Sequence, residues 1–257
     1  MCYDDQARPP MPPGQSGEAH GQDIVLTAAD GNRFAAYVAV PAQVSANRVI
    51  IYPDVRGLHQ FYKELALRFA EIGISAIAID YFGRTAGLTA RDDTFEYMPH
   101  VQQLAIEAFL LDVKAAKEYQ ADNFGPSQNT FVVGFCMGGS LTLMTGTSPE
   151  LGAAGLIPFY SGLSRAFGGK GTALEIASKV RYPVLGLFGG ADQGIPVEQV
   201  HQLEEKLKEA GVQEKIIIYP GAPHSFFDRR ATEFAGASSD AWQRVINFIS
   251  TGSPLEV

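Results

Sequence analysis

The fold of this chain is decided by the stretch Thr130-Phe131-Val132-Val133-Gly134-Phe135-Cys136-Met137-Gly138-Gly139. A β-branched run leads to a glycine, a cysteine follows, and two more glycines precede an apolar segment. This is the G-x-nucleophile-x-G pattern of a nucleophile elbow, with cysteine where serine is more usual. Such a tight strand-to-helix turn needs small neighbours, which Gly134 and Gly138 supply. The turn points the Cys136 sulfur at the first free N–H groups of the next helix, which favour a thiolate and, later, an oxyanion.

The rest of the chain places this elbow in an α/β sheet. A hairpin is predicted over residues 23–40, around the turn Asp30-Gly31. From residue 48 onward strand patterns alternate with helix patterns, and the strands are continuous apolar runs, as expected when helices cover both faces. The predicted strands are 49–52, 76–79, 130–135, 153–159, 183–188 and 215–219, and the predicted helices are 61–72, 97–119, 139–145, 197–207 and 242–249. The sequence therefore predicts a doubly wound, mostly parallel sheet with an antiparallel N-terminal hairpin and no cap domain.

The N-terminal residues differ in composition from the rest. Residues 1–22 are rich in proline, glycine and polar residues and show no apolar period, which predicts an extended arm. Two interpretations stay open: a mobile tail, or an arm that packs on the domain through Cys2, Tyr3 and Met11. Residues 23–257 are predicted to form one domain, a length that α/β domains often reach undivided.

Composition limits the class of protein. The 257 residues carry a net charge of −8, and we find no basic cluster beyond the pair Arg229-Arg230, which argues against nucleic-acid binding. No window approaches the roughly 18 apolar residues of a membrane span, so no membrane partner is predicted. With only two cysteines, Cys2 and Cys136, a disulfide scaffold is not indicated, and a catalytic thiol is best kept reduced in the cytoplasm.

Three chemistry-bearing residues follow the carboxyl ends of predicted strands. Cys136 sits on the elbow, Asp192 ends the run Gly189-Gly190-Ala191-Asp192, and His224 follows Gly221-Ala222-Pro223. Nucleophile, acid and histidine come in the chain order of α/β-hydrolases. Taken singly, each has an ordinary structural interpretation: a packed cysteine, a turn aspartate or a loop-capping histidine. Their joint order and placement favour a catalytic triad.

Chemistry assigns a role to each member. His224 would accept the thiol proton and later hand it to the leaving oxygen, and Asp192 would fix the tautomer of the ring. The oxyanion hole should combine the N–H of Met137 with that of Val55, in the loop after the first core strand. We set aside the other histidines, His20, His59, His100 and His201, although His59 lies near that loop.

The three motifs together resemble the dienelactone hydrolase family, over roughly residues 23–250. The motifs are Gly134-Phe135-Cys136-Met137-Gly138-Gly139, Phe188-Gly189-Gly190-Ala191-Asp192 and Gly221-Ala222-Pro223-His224-Ser225-Phe226. The resemblance implies a capless α/β-hydrolase fold and a Cys-His-Asp triad that acts on a small-molecule lactone or ester through a thioester. It implies no metal and no cofactor.

The departures from the family pattern concern the substrate. The family places a glutamate beside the resting cysteine, and Asp54 takes that position here. The family also clamps a substrate carboxylate with two arginines. Arg84 resembles the first, whereas the second position holds Asp228, with Arg229 next to it. Tyr160 matches a pocket tyrosine. Asp54, Arg84, Tyr160 and Arg229 are therefore our candidate substrate-binding residues.

Three functions remain open from sequence. The first is a hydrolase of small lactones or esters. The second is a carboxylesterase or thioesterase for neutral substrates, because Asp228 would repel an anion at the clamp. The third is a non-enzymatic redox-sensing module in which Cys136 is oxidised reversibly and resolved by Cys2. The oligomeric state, including a homodimer, is not decided by the sequence.

Overall fold

The computed structural model describes residues 6–14, 17–43, 45–125, 129–166 and 168–257. Within these ranges the core is one eight-stranded sheet in the order β1-β2-β4-β3-β5-β6-β7-β8. The strands are β1 (Ala19–Thr27), β2 (Arg33–Pro41), β3 (Asn47–Tyr52), β4 (Ser75–Ile79), β5 (Asn129–Phe135), β6 (Gly155–Phe159), β7 (Val184–Gly189) and β8 (Glu214–Tyr219). β1 and β2 pair antiparallel, β2 joins β4 antiparallel, and β3 to β8 pair in parallel. The predicted fold class is confirmed.

Helices cover both faces of the sheet. They are α1 (Gln60–Glu71), α2 (Gly83–Ala86), α3 (Met98–Val101), α4 (Ile106–Phe124), α5 (Met137–Thr145), α6 (Ala173–Ile176), α7 (Val197–Ala210) and α8 (Ala235–Thr251), with short 3₁₀ turns at Pro149–Leu151, Ala177–Lys179 and Pro254–Glu256. The middle strands β4 and β7 are buried at every residue, because helices cover them on both sides. Among the described residues, no helix is both long and apolar enough to cross a membrane.

One predicted helix is interrupted. The pattern over 97–119 predicts a single helix, whereas the structure has α3, a break, and then α4 from Ile106. Ala105 is extended, with φ −125° and ψ 124°, and forms an isolated β-bridge with Gly168. The N–H of Ile106 donates to the Gly168 carbonyl at 3.3 Å. A contact from a distant loop thus takes the backbone out of the helix, which local periodicity cannot predict.

The described part of the arm lies against the domain. Pro9 and Pro12 are buried. The indole N–H of Trp242 donates to the Pro10 carbonyl at 2.9 Å, and the Arg8 guanidinium lies 3.3 Å from the Glu64 carboxylate. Met11, which we expected to help anchor the arm, is instead 58% exposed. The other two expected anchors, Cys2 and Tyr3, lie outside the described residues. The sheet itself begins at Ala19, inside the predicted arm.

Candidate active site

Cys136 occupies the strained turn between β5 and α5. Its φ of 54° and ψ of −113° are unusual for a residue with a side chain, and such strain is kept where surrounding structure enforces it. A Cβ on Gly134 would come within 2.2 Å of the Gly138 carbonyl oxygen, and one on Gly138 would come within 2.1 Å of the Pro53 carbonyl oxygen. The two glycines therefore let the turn close against the loop after β3. Cys136 itself is half-buried, so its sulfur is accessible.

His224 and Asp192 form a hydrogen-bonded pair on the loops after β8 and β7. The His224 Nδ1 atom lies 2.6 Å from Asp192 Oδ2. Asp192 Oδ1 accepts the N–H of Gly194 at 2.9 Å, and the Asp192 side chain is only 2% exposed. Because a carboxylate can only accept, the proton of a neutral His224 ring resides on Nδ1. In this tautomer Nε2 carries no proton and can accept one, as a general base must.

Cys136 and the His224–Asp192 pair open into one cleft of about 890 Å³. Val55 and Met137 also line it. In the described part of the chain, no protein group accepts a hydrogen bond from the N–H of Val55 or of Met137. Two unused backbone donors beside a nucleophile can stabilise an oxyanion. The structure thus brings together the five residues that sequence analysis assigned to the triad and the oxyanion hole.

Arg84, the candidate carboxylate clamp, is not among the residues that line this cleft. Its Nε and Nη2 atoms donate to Asp112 at 3.0 and 2.8 Å, and Nη1 donates to Asp30 at 2.5 Å. Two carboxylates therefore hold the guanidinium. This placement does not support the expectation that Arg84 contacts the substrate. The side chain is bound by Asp30 and Asp112, which are distant in sequence and could not be identified as its partners from the sequence.

Other arginines do reach the cleft. Arg229 is exposed and lines it, as do Arg165 and Arg230, which sequence analysis did not select. The Arg230 guanidinium is paired with Glu233, with Nε donating at 2.9 Å. Arg165 follows β6, so the rule that active groups lie beyond the carboxyl ends of parallel strands could have identified it. Arg230 could have been found from its adjacency to Arg229.

Tyr160 and Asp228 form a buried pair beside His224. The Tyr160 hydroxyl donates to Asp228 Oδ2 at 3.0 Å, and the Tyr160 and His224 ring centroids lie 5.0 Å apart. Tyr160 has a φ of 33°, in the region that side-chain-bearing residues rarely adopt. Burial, followed by the negative charge of Asp54, raises the pKa of Asp228 to about 8. Asp228 is therefore mostly a neutral carboxylic acid near pH 7.

Asp54 lies in a second buried polar cluster, behind Val55. Asp54 Oδ1 accepts the backbone N–H of Arg56 at 3.0 Å and lies 3.3 Å from His59 Nε2. Arg56 Nη2 lies 3.1 Å from His59 Nδ1. His59, which we had set aside, thus contacts a candidate site residue, Asp54. In the sequence, the only indication of this role for His59 was its position near the loop that contains Val55.

Asp54 and Cys136 both lie near the same three buried tyrosines, Tyr62, Tyr81 and Tyr160. The negative charges of both groups raise the pKa of Tyr62 and of Tyr81, after burial as the main cause. Both also contribute to the raised pKa of Tyr160, after burial and Asp228. Besides Asp192, two further buried acids, Asp54 and Asp228, therefore lie near the cleft, although neither lines it. Among the described residues, no group of three or more metal-ligating side chains could hold a metal ion.

A strand–helix turn that presents a nucleophile next to an acid-bonded histidine, at the carboxyl edge of a mostly parallel sheet, is typical of α/β-hydrolases. The fold places the chain in that class. A family model described as "Dienelactone hydrolase family" matches residues 34–253, and the chain belongs to this family. It is accordingly a dienelactone hydrolase-like enzyme that acts on ester or lactone bonds.

The relatives agree with this assignment. The chain is 30% identical over 261 residues to a carboxymethylenebutenolidase of Rhodococcus opacus, covering 96% of each chain. A Klebsiella pneumoniae protein assigned to the dienelactone hydrolases superposes with a TM-score of 0.78 at 22% identity, covering 91% of this chain and 100% of that one. A dienelactone hydrolase-like promiscuous phosphotriesterase from metagenomic libraries gives 0.72 at 20% identity, covering 91% and 98%. At these identities the solved structures show the fold.

Because the chain belongs to a family of hydrolases, the alternative of a non-enzymatic redox-sensing module is set aside. The cysteine that this alternative required as a resolving thiol, Cys2, lies outside the described residues. The choice between lactones and neutral esters concerns the substrate and not the class of enzyme.

Proposed function

We propose that the protein hydrolyses small lactones or carboxylic esters through a thioester formed on Cys136, with His224 as general base and acid and Asp192 as its partner. The observation that carries the proposal is the 2.6 Å contact between His224 Nδ1 and Asp192 Oδ2, in the cleft that also contains Cys136. A thiol is mostly protonated at neutral pH, so the nucleophile needs the base that this pair supplies.

The first half of the reaction forms the thioester. His224 Nε2 takes the thiol proton, and the thiolate sulfur of Cys136 bonds to the substrate carbonyl carbon. The carbonyl oxygen becomes an oxyanion and accepts hydrogen bonds from the N–H groups of Val55 and Met137. The C–O bond to the leaving oxygen then breaks, and His224 returns the proton to that oxygen. In a lactone this step opens the ring and leaves the alcohol attached to the acyl group.

The second half regenerates the enzyme. His224 takes a proton from water as the water oxygen attacks the thioester carbon, and the same two N–H groups hold the second oxyanion. The C–S bond breaks, a carboxylic acid leaves, and the sulfur recovers the proton from His224. In both halves Asp192 keeps the ring oriented and stabilises the imidazolium that forms.

Replacement of the nucleophile tests this mechanism. Cys136→Ala should lower kcat on a small aryl ester by at least about 10³-fold, as removal of a nucleophile does in triad enzymes. Cys2→Ala makes the same chemical change at the other cysteine and should keep normal activity. Mass spectrometry of the quenched enzyme should show an acyl adduct on Cys136 with a slow ester. Full esterase activity in Cys136→Ala would refute the assignment.

A second candidate substrate class is a neutral ester or thioester, and Asp228 is the observation that favours it. A buried acid occupies the place where the family resemblance expects an arginine, and the described structure places Arg84 on Asp30 and Asp112 instead. Comparing kcat/KM for an anionic lactone with that for a neutral aryl ester decides the question. A clear preference for the anionic lactone would exclude the neutral class.

A further inference from the structure

The polar cluster behind Val55 has a fixed direction of hydrogen bonding. A guanidinium can only donate, so His59 Nδ1 accepts from Arg56 Nη2 across 3.1 Å. The proton of a neutral His59 ring is then on Nε2, which faces Asp54 Oδ1 at 3.3 Å. The contacts therefore run from Arg56 through His59 to Asp54, with a hydrogen bond at the first step and a close approach at the second. All three residues are buried, with exposures of 0%, 8% and 1%.

These contacts hold the backbone on both sides of Val55. Asp54 Oδ1 also accepts the N–H of Arg56 at 3.0 Å, which closes an Asx turn around Val55. The Asp54 carbonyl accepts the N–H of Gly57 at 3.0 Å and the hydroxyl of Tyr81. His59 ties this turn to the start of α1, which begins at the next residue. Buried polar groups that contact one another in this way restrict the motion of the turn.

The residue inside this turn is the second oxyanion donor of the proposed mechanism. Val55 lines the cleft with Cys136, and in the described ranges its N–H has no protein acceptor. Met137 sits at the start of a helix and is held by it, whereas Val55 is in a loop and needs other support. A donor displaced by about 1 Å can cost a reaction about 10²-fold.

We propose that His59 is a positioning residue: with Arg56 it holds the Asp54 turn so that the Val55 N–H stays directed at the oxyanion. This inference rests on the proposed function, because it names the support of that oxyanion hole. His59 does not contact the substrate. It acts through the Asp54 side chain, for which hydrogen-bond acceptance, and not charge, is the property that matters.

The test compares a reaction that forms an oxyanion with one that does not. In His59→Leu we expect kcat on a small aryl ester to fall about 10- to 100-fold, with KM little changed. Alkylation of Cys136 by iodoacetamide is a displacement without an oxyanion, and its rate should match the wild-type rate. His59→Gln can accept from Arg56 and donate to Asp54, so it should recover most of the lost kcat. His201→Leu, on an exposed position of α7, is the matched control.

Two results overturn the inference. If alkylation slows as much as ester hydrolysis, His59 acts on the thiol and not on the oxyanion hole. If kcat is unchanged, His59 has no role in positioning. Should His59→Leu fail to fold, Asp54→Asn and Asp54→Ala still decide the matter. The amide oxygen of asparagine can accept the Arg56 N–H as the carboxylate does, so Asp54→Asn should keep much more activity than Asp54→Ala, and equal losses in the two would refute the inference.

Failure of this inference and failure of the proposed function are distinguishable. An active Cys136→Ala enzyme refutes the triad whatever the His59 variants do. An inactive Cys136→Ala enzyme together with a fully active His59→Leu enzyme refutes the role of His59 alone.

Discussion

Asp54 and Asp228 are two buried aspartates near the same nucleophile, yet their surroundings differ. Asp54 accepts from a backbone N–H and faces an imidazole that is itself bonded to the Arg56 guanidinium. Asp228 accepts from the Tyr160 phenol and from the backbone N–H of Arg229. A cation therefore stands behind the first acid, and neutral donors face the second. The difference teaches that two acids buried to a similar depth can have different partners, one linked to a guanidinium and the other bonded to uncharged donors.

Removing the two acids in turn should give the largest contrast. Asp54→Leu removes the carboxylate from the buried cluster that contains Arg56 and His59, and loss of one partner from a buried charged network typically costs about 3–5 kcal/mol. Asp228→Leu removes a mostly neutral acid and leaves one phenol unsatisfied, which costs about 1–3 kcal/mol. Urea unfolding of the two variants measures the difference. Equal losses would show that the two environments do not differ as described.

Much of the site was predictable because its signals are local. The elbow is encoded within the run from Gly134 to Gly138, because a side chain at either of these two glycines would collide with neighbouring backbone. Asp192 and His224 each follow a continuous apolar strand, so the strand-end rule places them at one edge without tertiary information. Their pairing then follows from chain order alone.

The rest depends on contacts between distant parts of the chain. Arg84 is held by Asp112 and Asp30, which are 28 and 54 positions away, and the Tyr160 hydroxyl meets Asp228 across 68 positions. The clamp role expected for Arg84 came from a resemblance at one position. Such a resemblance does not show which side chains of other segments will bind the guanidinium. His59 was overlooked for a different reason: its contacts with Arg56 and Asp54 are local, but no sequence motif marks them.

The second prediction uses the pKa of Asp228. An unfolded aspartate titrates near 3.8, whereas burial raises the folded value to about 8. Between these values the folded state keeps a proton that the unfolded state loses, so this group lowers the free energy of unfolding as pH rises, by at most about 1.4 kcal/mol per pH unit. Its stabilising effect is complete below the unfolded pKa and is lost on approach to the folded one.

Asp228→Asn removes this titration and should therefore gain stability relative to the wild type as the pH is raised from about 5 to about 7. Urea unfolding at several pH values measures the gap, and titrations common to both proteins cancel in the comparison. A constant gap for Asp228→Asn would mean that Asp228 is ionised in the folded protein at neutral pH.

The smallest effect concerns substrate charge. Near pH 7 Asp228 is mostly neutral, so Asp228→Asn should change the preference between an anionic and a neutral aryl ester little. As the pH rises through about 8, the wild-type Asp228 gains a negative charge near His224, beneath the cleft lining, and should disfavour the anionic ester by roughly several-fold in kcat/KM. Effects of pH on Cys136 and His224 change kcat/KM for both substrates alike, so they cancel in the ratio of the two values. In Asp228→Asn that ratio should stay level across the same range, because the amide cannot ionise. A parallel fall in the variant would assign the effect to another group and leave Asp54 as the acid that the substrate senses.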